Sequence, residues 1–199
     1  MEKRLFVAHE DVLSRSPYFR PILRDLAIED QEDKVIDLLD EEPEVMSCVL
    51  EFLYRGDYYP RIIHNELEDA KASHVGGHGS SEPTIYVPKV GEELLRDTVV
   101  YCAAEKYGLE ELKRLALRKQ GLQSAVPVSV ILKSARYAYD NTPDSDSQLR
   151  AHYLAMIIRT RDIFKRSGTM QIEMENGHAW FFDLFVAMCN HLDDLDDTR

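Results

Sequence analysis

Histidine is the first residue type to consider, because its side chain can bind a metal ion or transfer a proton near neutral pH. His9 follows the apolar run Leu5-Phe6-Val7-Ala8, where the pattern switches from strand to helix. No Cys, Asp or Glu stands at a spacing that would complete a metal site with His9. We therefore expect His9 to pack and to form a hydrogen bond at a strand-helix junction.

A second histidine pair, His74 and His78, has Glu68 and Asp69 nearby. These four side chains could bind a metal ion in principle. The glycines between the two histidines, however, provide no rigid frame that would orient ligands. We predict neither a metal site nor a cofactor in this chain.

Motifs of catalysis are also missing from the sequence. It has no Gly-rich phosphate loop, no Gly-x-Ser-x-Gly elbow, no His-Glu-x-x-His and no paired carboxylates on a predicted rigid element. We therefore predict that the protein is not an enzyme. A hydrolase-like enzyme with scattered catalytic residues remains the alternative of a different class, since a triad needs spatial rather than sequence proximity.

Size and composition indicate a soluble globular protein of one domain, or one domain with an extension. The chain has 199 residues, of which 44% are hydrophobic. No apolar run approaches the roughly 18 to 20 residues that cross a bilayer, and the amino terminus lacks the apolar stretch of a secretory signal. We expect an intracellular protein of the nucleus or the cytoplasm, with no membrane partner.

Charge and cysteine content agree with that expectation. The formal charge of −12, from 36 acids and 24 bases, would repel a phosphate backbone, so we predict no direct binding of nucleic acid. Cys48, Cys102 and Cys189 lie far apart without a Cys-x-x-Cys pair. They are typical of reduced core residues.

Apolar periodicity predicts a small sheet packed against helices. Strands are predicted at residues 4–8, 35–38 and 85–87, and helices near 10–24, 43–55, 92–107 and 109–120. Pro43 in a first turn, Gly56 and Gly108 supply the start and stop signals. We expect Phe19, Phe52 and Leu112 to be core residues.

Three further helices are predicted beyond Gln120. They cover residues 126–139, then a longer helix that starts after Ser147 and closes at Ser167-Gly168, and finally residues 179–192. Phe181, Leu184, Phe185, Met188 and Leu192 form one apolar stripe of the last helix. The acidic residues 25–44 and the polar residues 61–82 are interpreted as a solvated loop and a flexible insertion, respectively.

Three motifs of this chain resemble those of BTB/POZ domains. They are Phe6-x-x-His9 followed by Leu13, Ser16 and Phe19; Phe52-Leu-Tyr54-Arg-Gly56-Asp-Tyr58; and Ala103-Ala-Glu-Lys-Tyr107-Gly108. The resemblance implies an α+β, mostly helical fold, in which a small β-sheet packs on helical hairpins and extra helices follow.

A fourth match narrows the family. Tyr139-Asp-Asn141-Thr-Pro143, followed by Leu149-Arg150, resembles the carboxy-terminal extension of stand-alone fungal BTB proteins. The resemblance implies a BTB/POZ domain over residues 1–122, with a flexible insertion at about 60–90, and a helical extension over 123–199. Arg150 is expected to clamp carbonyls or a carboxylate of a neighbouring loop.

The function that this resemblance implies is that of a non-catalytic adaptor for protein-protein interaction. Its partners would be another BTB subunit, giving a homo-oligomer, or the cullin scaffold of a ubiquitin ligase. A chromatin- or transcription-linked complex subunit is the alternative among binding proteins.

Two departures from the family pattern bear on these partners. Family members usually begin with an additional strand containing Asp-Val, whereas Met1 stands where that strand should already have ended. A dimer that exchanges this strand is therefore in doubt. The insertion after Tyr59 falls where cullin-binding members present a contact loop.

The docking surface is predicted at the end of the 43–55 helix and the turn after it, where Tyr54, Asp57, Tyr58 and Tyr59 cluster. Aromatic side chains with a polar tip are favoured at interfaces, because they bury a large area and have few rotatable bonds. Tyr54 could instead cap the core. Tyr58 and Tyr59, next to Pro60, are expected to be exposed.

Overall fold

Helices dominate the part of the chain that the computed structural model describes, residues 4–28, 34–58, 83–120 and 126–197. Two β-strands pair with each other in this part of the chain. The helices are α1 Glu10–Leu13, α2 Phe19–Ile28, α3 Pro43–Arg55, α4 Arg96–Tyr107, α5 Glu110–Lys119, α6 Val128–Asn141, α7 Gln148–Arg159, α8 Arg161–Phe164, α9 Gly168–Glu175 and α10 Trp180–Asp197. The strands are β1 Thr84–Val87 and β2 Glu92–Leu95.

The sheet is an antiparallel hairpin, with Thr84 opposite Leu95 and Val87 opposite Glu92. It confirms the strand predicted at 85–87. The predicted helix at 92–107 was four residues too long, since α4 begins at Arg96. Glu and Leu favour helix, but pairing with β1 overrides that weak preference over residues 92–95.

The strands predicted at residues 4–8 and 35–38 are wrong for the described chain, because these residues have no regular secondary structure and join no described sheet. Inward-facing and outward-facing side chains nevertheless alternate in both segments, as predicted. Phe6, Ala8, Ile36 and Leu38 pack against the core. Leu5 and Val7, which were expected in the sheet, are 83% and 91% exposed.

The predicted helix 10–24 is two helices separated by a turn at Ser16. The buried Ser16 hydroxyl donates a hydrogen bond to the carbonyl of Tyr107 at 2.7 Å and accepts one from the N–H of Tyr18 at 3.2 Å. Phe19 stacks on the Tyr107 ring with centroids 5.1 Å apart. The motif that runs from Phe6 to Phe19 therefore fixes α2 on the end of α4.

Two glycines end helices as predicted. Gly56 has φ 74° and donates its N–H to the carbonyl of Phe52 at 2.7 Å, while Gly108 has φ 66°. These left-handed conformations disfavour any residue with a Cβ. At Gly108 a Cβ would also lie 3.1 Å from Cγ of Pro17.

One hydrophobic cluster runs from the amino-terminal helices into the extension. Phe19 and Leu112 are buried in it as predicted, whereas Phe52 is only partly buried at its edge. Val130, Ala138 and Tyr153 from α6 and α7 belong to the same cluster. This cluster therefore extends across the predicted boundary at 122/123.

Buried hydrogen bonds also cross that boundary. The Ser134 hydroxyl of α6 accepts the N–H of Leu95 at 2.9 Å. The hydroxyls of Thr98 and Tyr153 lie 2.5 Å apart. Lys113 of α5 forms an ion pair with Asp146, 2.9 Å away, in the loop before α7. Such satisfied polar contacts fix one arrangement of the extension on the domain.

A second cluster holds the carboxy-terminal helices together. Its buried members are Leu132, Ile157, Phe164, Trp180 and Leu184. The single helix predicted from Ser147 to Ser167 breaks at Thr160, whose hydroxyl bonds to the carbonyl of Met156 at 2.8 Å. Local hydroxyl-to-backbone bonding of this kind competes with a continuous helix. An additional helix, α9, follows where the sequence predicted only a stop.

Arg150 is the loop clamp that the sequence predicted. Its guanidinium donates to the carbonyl of Thr142 at 2.5 Å, to the Thr142 hydroxyl at 3.2 Å and to Asp144 Oδ1 at 2.9 Å. It also lies over the Tyr139 ring, 4.6 Å from the centroid. One planar group thus holds the loop between α6 and α7.

We expect Arg150→Lys to lower the free energy of unfolding by about 1 to 3 kcal/mol, because an ammonium cannot reproduce a fork of donors to several acceptors. Urea unfolding followed by circular dichroism measures the change. Arg159→Lys on the same helix is the matched control and should be near neutral. Equal stability of the two variants would contradict the clamp.

Candidate protein-interaction site

Tyr54 lies at the end of α3 with 44% of its surface exposed. Its hydroxyl accepts the backbone N–H of His9 at 2.8 Å and lies 2.6 Å from Nδ1 of the His9 ring. The two rings meet edge to face, with centroids 5.8 Å apart. Tyr54 therefore fastens the extended residues 4–9 to α3 and still presents part of its ring to solvent. His9 makes the junction hydrogen bond that its position predicted.

Asp57 is held in the turn after α3. One carboxylate oxygen, Oδ1, accepts the N–H of Tyr58 at 2.7 Å and pairs with the Lys119 ammonium. The hydrogen bond from Lys119 is the largest of the effects that lower the pKa of Asp57 below its ordinary value. The side chain remains 38% exposed, so it can still meet a partner at its outer edge.

Tyr58 is fully buried, and the expectation that it is exposed is wrong. Its hydroxyl donates to Asp97 Oδ1 at 2.9 Å. The Lys119 ammonium lies 4.3 Å from the ring centroid, and the Arg96 guanidinium lies 6.0 Å from it. Proximity to Pro60 suggested a surface loop, but a buried Tyr is stable where its hydroxyl finds a partner.

Asp97 and Arg96 form the buried centre of this arrangement. Arg96 donates to Asp97 Oδ1 from Nε at 3.3 Å and from Nη2 at 3.1 Å, and the two side chains are 8% and 3% exposed. Burial raises the pKa of Asp97, although Arg96 and the Tyr58 hydroxyl oppose that effect. The pair anchors the start of α4 beneath the turn that carries Asp57.

The structure thus brings together only part of the predicted site. Tyr54 and Asp57 are accessible, Tyr58 is a core residue, and Tyr59 lies outside the described residues. A Tyr58→Ala, Tyr59→Ala double variant would therefore test folding rather than docking.

Sequence reasoning missed Leu5 and Val7 as surface residues. They lie on the segment that His9 fastens to Tyr54, and their side chains point outward. The alternation of residues 4–8 signalled two different faces, but not which face packs inward. We define the α3-end surface as Leu5, Val7, Tyr54 and Asp57.

A groove of about 570 Å³ lies between the start of α3, α4 and α6. Its walls carry Glu41, Lys106, Lys133 and Arg136. These charges are already paired within the chain: Lys106 with Glu41, Lys133 with Glu92, and Arg136 with Glu173 at 3.1 Å. The groove is therefore a weaker candidate for a binding site than the α3-end surface.

Metal and thiol chemistry gain no support in the described chain. Among residues 4–28, 34–58, 83–120 and 126–197, no group of three His, Cys, Asp or Glu could hold a metal ion. The His74 and His78 pair lies outside those residues.

Cys48 and Cys102 are buried, as predicted. Burial raises the pKa of both thiols, that of Cys48 to about 12, so neither resembles a reactive thiolate. Cys189 is only partly buried.

No helix in the described part of the chain is long and apolar enough to cross a membrane.

Comparison with known proteins gives one family match, at the amino-terminal part of the chain. Residues 1–71 match the family model of the BTB/POZ domain, a protein-interaction domain. This match agrees with the resemblance of the motifs in residues 6–58, and the mostly helical fold with a small sheet and extra helices is the predicted one. No curated protein and no solved structure matches the chain. The motifs at Ala103–Gly108 and Tyr139–Arg150 lie beyond the matched residues.

Proposed function

We propose that this chain is a non-catalytic adaptor whose α3-end surface binds a second copy of the chain. The observation that carries the proposal is the outward position of Leu5 and Val7 on the segment whose His9 bonds to the partly exposed Tyr54. Apolar side chains exposed side by side, with an aromatic residue next to them, are typical of protein-protein contacts.

Local charge is compatible with self-association at this surface. Arg4 and Arg55 are exposed and adjoin its apolar residues in sequence. Asp57 and Glu10 supply opposite charges, although each also pairs within the chain, with Lys119 and Lys34 respectively. A two-fold contact places the same patch on both subunits, so a patch of mixed sign can complement itself. The net charge of −12 makes an acidic patch less suited to such pairing.

Sedimentation equilibrium tests the proposal. We expect the full chain to dimerise at micromolar concentration and the Leu5→Ser, Val7→Ser variant to be monomeric, because polar substitution removes the apolar area that drives association. Unfolding should be little changed, since both side chains are exposed in the monomer. Ile163→Ser on α8, whose side chain is 59% exposed, is the matched control. A monomeric parent chain, or a double variant that still dimerises, would refute self-association.

A second candidate partner is a cullin, which would make the chain a substrate adaptor of a ubiquitin ligase. The turn at Asp57 leads into the insertion that takes the place of the family's cullin contact loop. Calorimetry with a purified cullin amino-terminal domain would test whether the chain binds a cullin. Binding should weaken by at least about 1 kcal/mol in Asp57→Ala, the usual threshold of a hot-spot residue. A partner pull-down read by mass spectrometry would instead reveal chromatin- or transcription-linked subunits if that alternative holds.

A further inference from the structure

Helix α10 is fixed to the rest of the protein by one side only. Trp180 and Leu184 are buried in the second hydrophobic cluster. Asp183 accepts a hydrogen bond from the Tyr139 hydroxyl at 2.9 Å, and His178 lies 3.0 Å from Asp140 just before the helix. These contacts hold the first turns of α10 on α6 and α7.

A second apolar face of α10 points to solvent. Phe182, Phe185, Met188 and Leu192 are 70%, 64%, 43% and 59% exposed. Their spacing of three, three and four residues places them within an arc of about 120° at 100° per residue. The sequence-predicted stripe combined Leu184 with Phe185, whereas the structure turns Leu184 inward and Phe185 outward. We define the α10 outer face as these four exposed residues.

The charged residues of α10 itself and of the segment before it are all acidic. From Ser167 to Thr198 the sequence has acidic residues but no Lys or Arg. Asp193 and Asp196 are exposed on the last turns of α10, next to the apolar arc. An apolar stripe whose charged neighbours on the same helix are acids complements a helix whose own apolar stripe is bordered by Lys or Arg.

We propose that the α10 outer face binds an amphipathic helix of a partner protein, with apolar residues at three- and four-residue spacing and basic residues beside them. The helix packs along α10, which is 18 residues or about 27 Å long. Its basic residues meet Asp193 and Asp196. This surface is separate from the α3-end surface and does not depend on the proposed dimer.

The acidic residues of α10 argue against two other partners for its outer face. Pairing α10 with α10 of a second copy would give these acids no basic partner in either orientation, since the helix has no Lys or Arg. Two parallel helices would set acids against acids, and two antiparallel helices would set the acids against apolar first turns. Interfacial membrane helices have a basic polar face that meets anionic lipid, and α10 has the opposite charge. A basic helix therefore fits better than a second copy or a membrane.

The test uses the full chain and a labelled designed peptide of roughly 20 residues, long enough to cover α10, with Leu at heptad a and d positions and Lys at e and g. A peptide with Glu in place of Lys is the charge control. Fluorescence anisotropy should show binding of the Lys peptide and none of the Glu peptide. Phe185→Ser with Leu192→Ser should weaken binding by a factor of ten or more, whereas Ile163→Ser should leave it unchanged.

Two further double variants test the charge contacts and the independence of the two surfaces. Asp193→Asn with Asp196→Asn should weaken binding of the Lys peptide and reduce its salt dependence. Leu5→Ser with Val7→Ser should bind the peptide like the parent chain, so failure of the proposed dimer is distinguishable from failure of this proposal. Circular dichroism confirms that every variant is folded.

Four outcomes would overturn the proposal. The first is equal affinity of the parent chain and the Phe185→Ser, Leu192→Ser variant for the Lys peptide. The second is equal binding of the Lys and Glu peptides. The third is a dimer that this double variant alone converts to monomer, which would make the face a contact between copies. The fourth is binding to phosphatidylcholine vesicles that the same variant abolishes, which would assign the face to a lipid surface.

Discussion

Replacing Asp97 by Ala should lower the free energy of unfolding by about 3 to 5 kcal/mol, the cost typical of removing one partner from a buried ion pair. The substitution leaves the Arg96 guanidinium buried without its carboxylate and removes the acceptor of the Tyr58 hydroxyl. Urea denaturation followed by far-UV circular dichroism measures the loss. The turn that carries Asp57 should loosen as well, because Tyr58 anchors it from below.

Two control variants separate the ion pair from general packing. Tyr58→Phe keeps the ring and removes one hydrogen bond to Asp97, so its cost should be smaller, about 1 to 3 kcal/mol. A double variant, Arg96→Met with Asp97→Leu, replaces both charges by apolar groups and should recover much of the lost stability. If Asp97→Ala were as stable as the parent chain, the carboxylate would not be the partner that makes Tyr58 and Arg96 tolerable inside the protein.

Replacing Trp180 by Ala should also cost about 3 to 5 kcal/mol, since a large aromatic side chain leaves a cavity that its neighbours fill only in part. Trp180 is fully buried among Leu132, Ile157 and Phe164. Its loss should release α10 from α6 before the remainder unfolds. Hydrogen exchange should therefore become faster in α10 than in α4.

Trp180→Phe is the conservative control and should lose less stability, because most of the ring volume remains. Trp180 is the only tryptophan of the chain, so its fluorescence reports on the extension in the parent protein. We expect its unfolding transition to coincide with that of circular dichroism, because α6 and α7 share the main core with α3 and α4. Two separate transitions would show that the extension unfolds on its own.

The two proposed surfaces lie on different parts of the chain. One is formed at the end of α3 by residues of mixed charge, and the other along α10 by apolar residues with acidic neighbours. A protein that dimerises through the first and binds a basic helix through the second would present two such sites per assembly. Paired sites increase the effective affinity for a partner that carries two matching segments.

The sequence by itself determined the features that depend on local chemistry. Pro43 and Gly56 set the limits of α3, and Gly108 ends α4. The proline ring and the left-handed φ of glycine each constrain the backbone of a single residue, so their effect can be recognised without knowledge of distant contacts. Arg150 was recognisable as a clamp for the same reason, since its acceptors lie within the adjacent loop. The motifs at Phe6–Phe19 and Phe52–Tyr58 likewise resembled the BTB/POZ family, whose model matches residues 1–71.

Only the tertiary structure decided which apolar and aromatic residues are buried. Tyr58 looks like a surface residue beside Pro60, yet Asp97, 39 positions later in the sequence, gives its hydroxyl a buried partner. Residues 92–95 favour a helix, but β1 supplies hydrogen bonds that hold them as a strand. Alternation or helical spacing defines faces and not their direction, so the exposure of Leu5 and Phe185 followed from how distant elements pack.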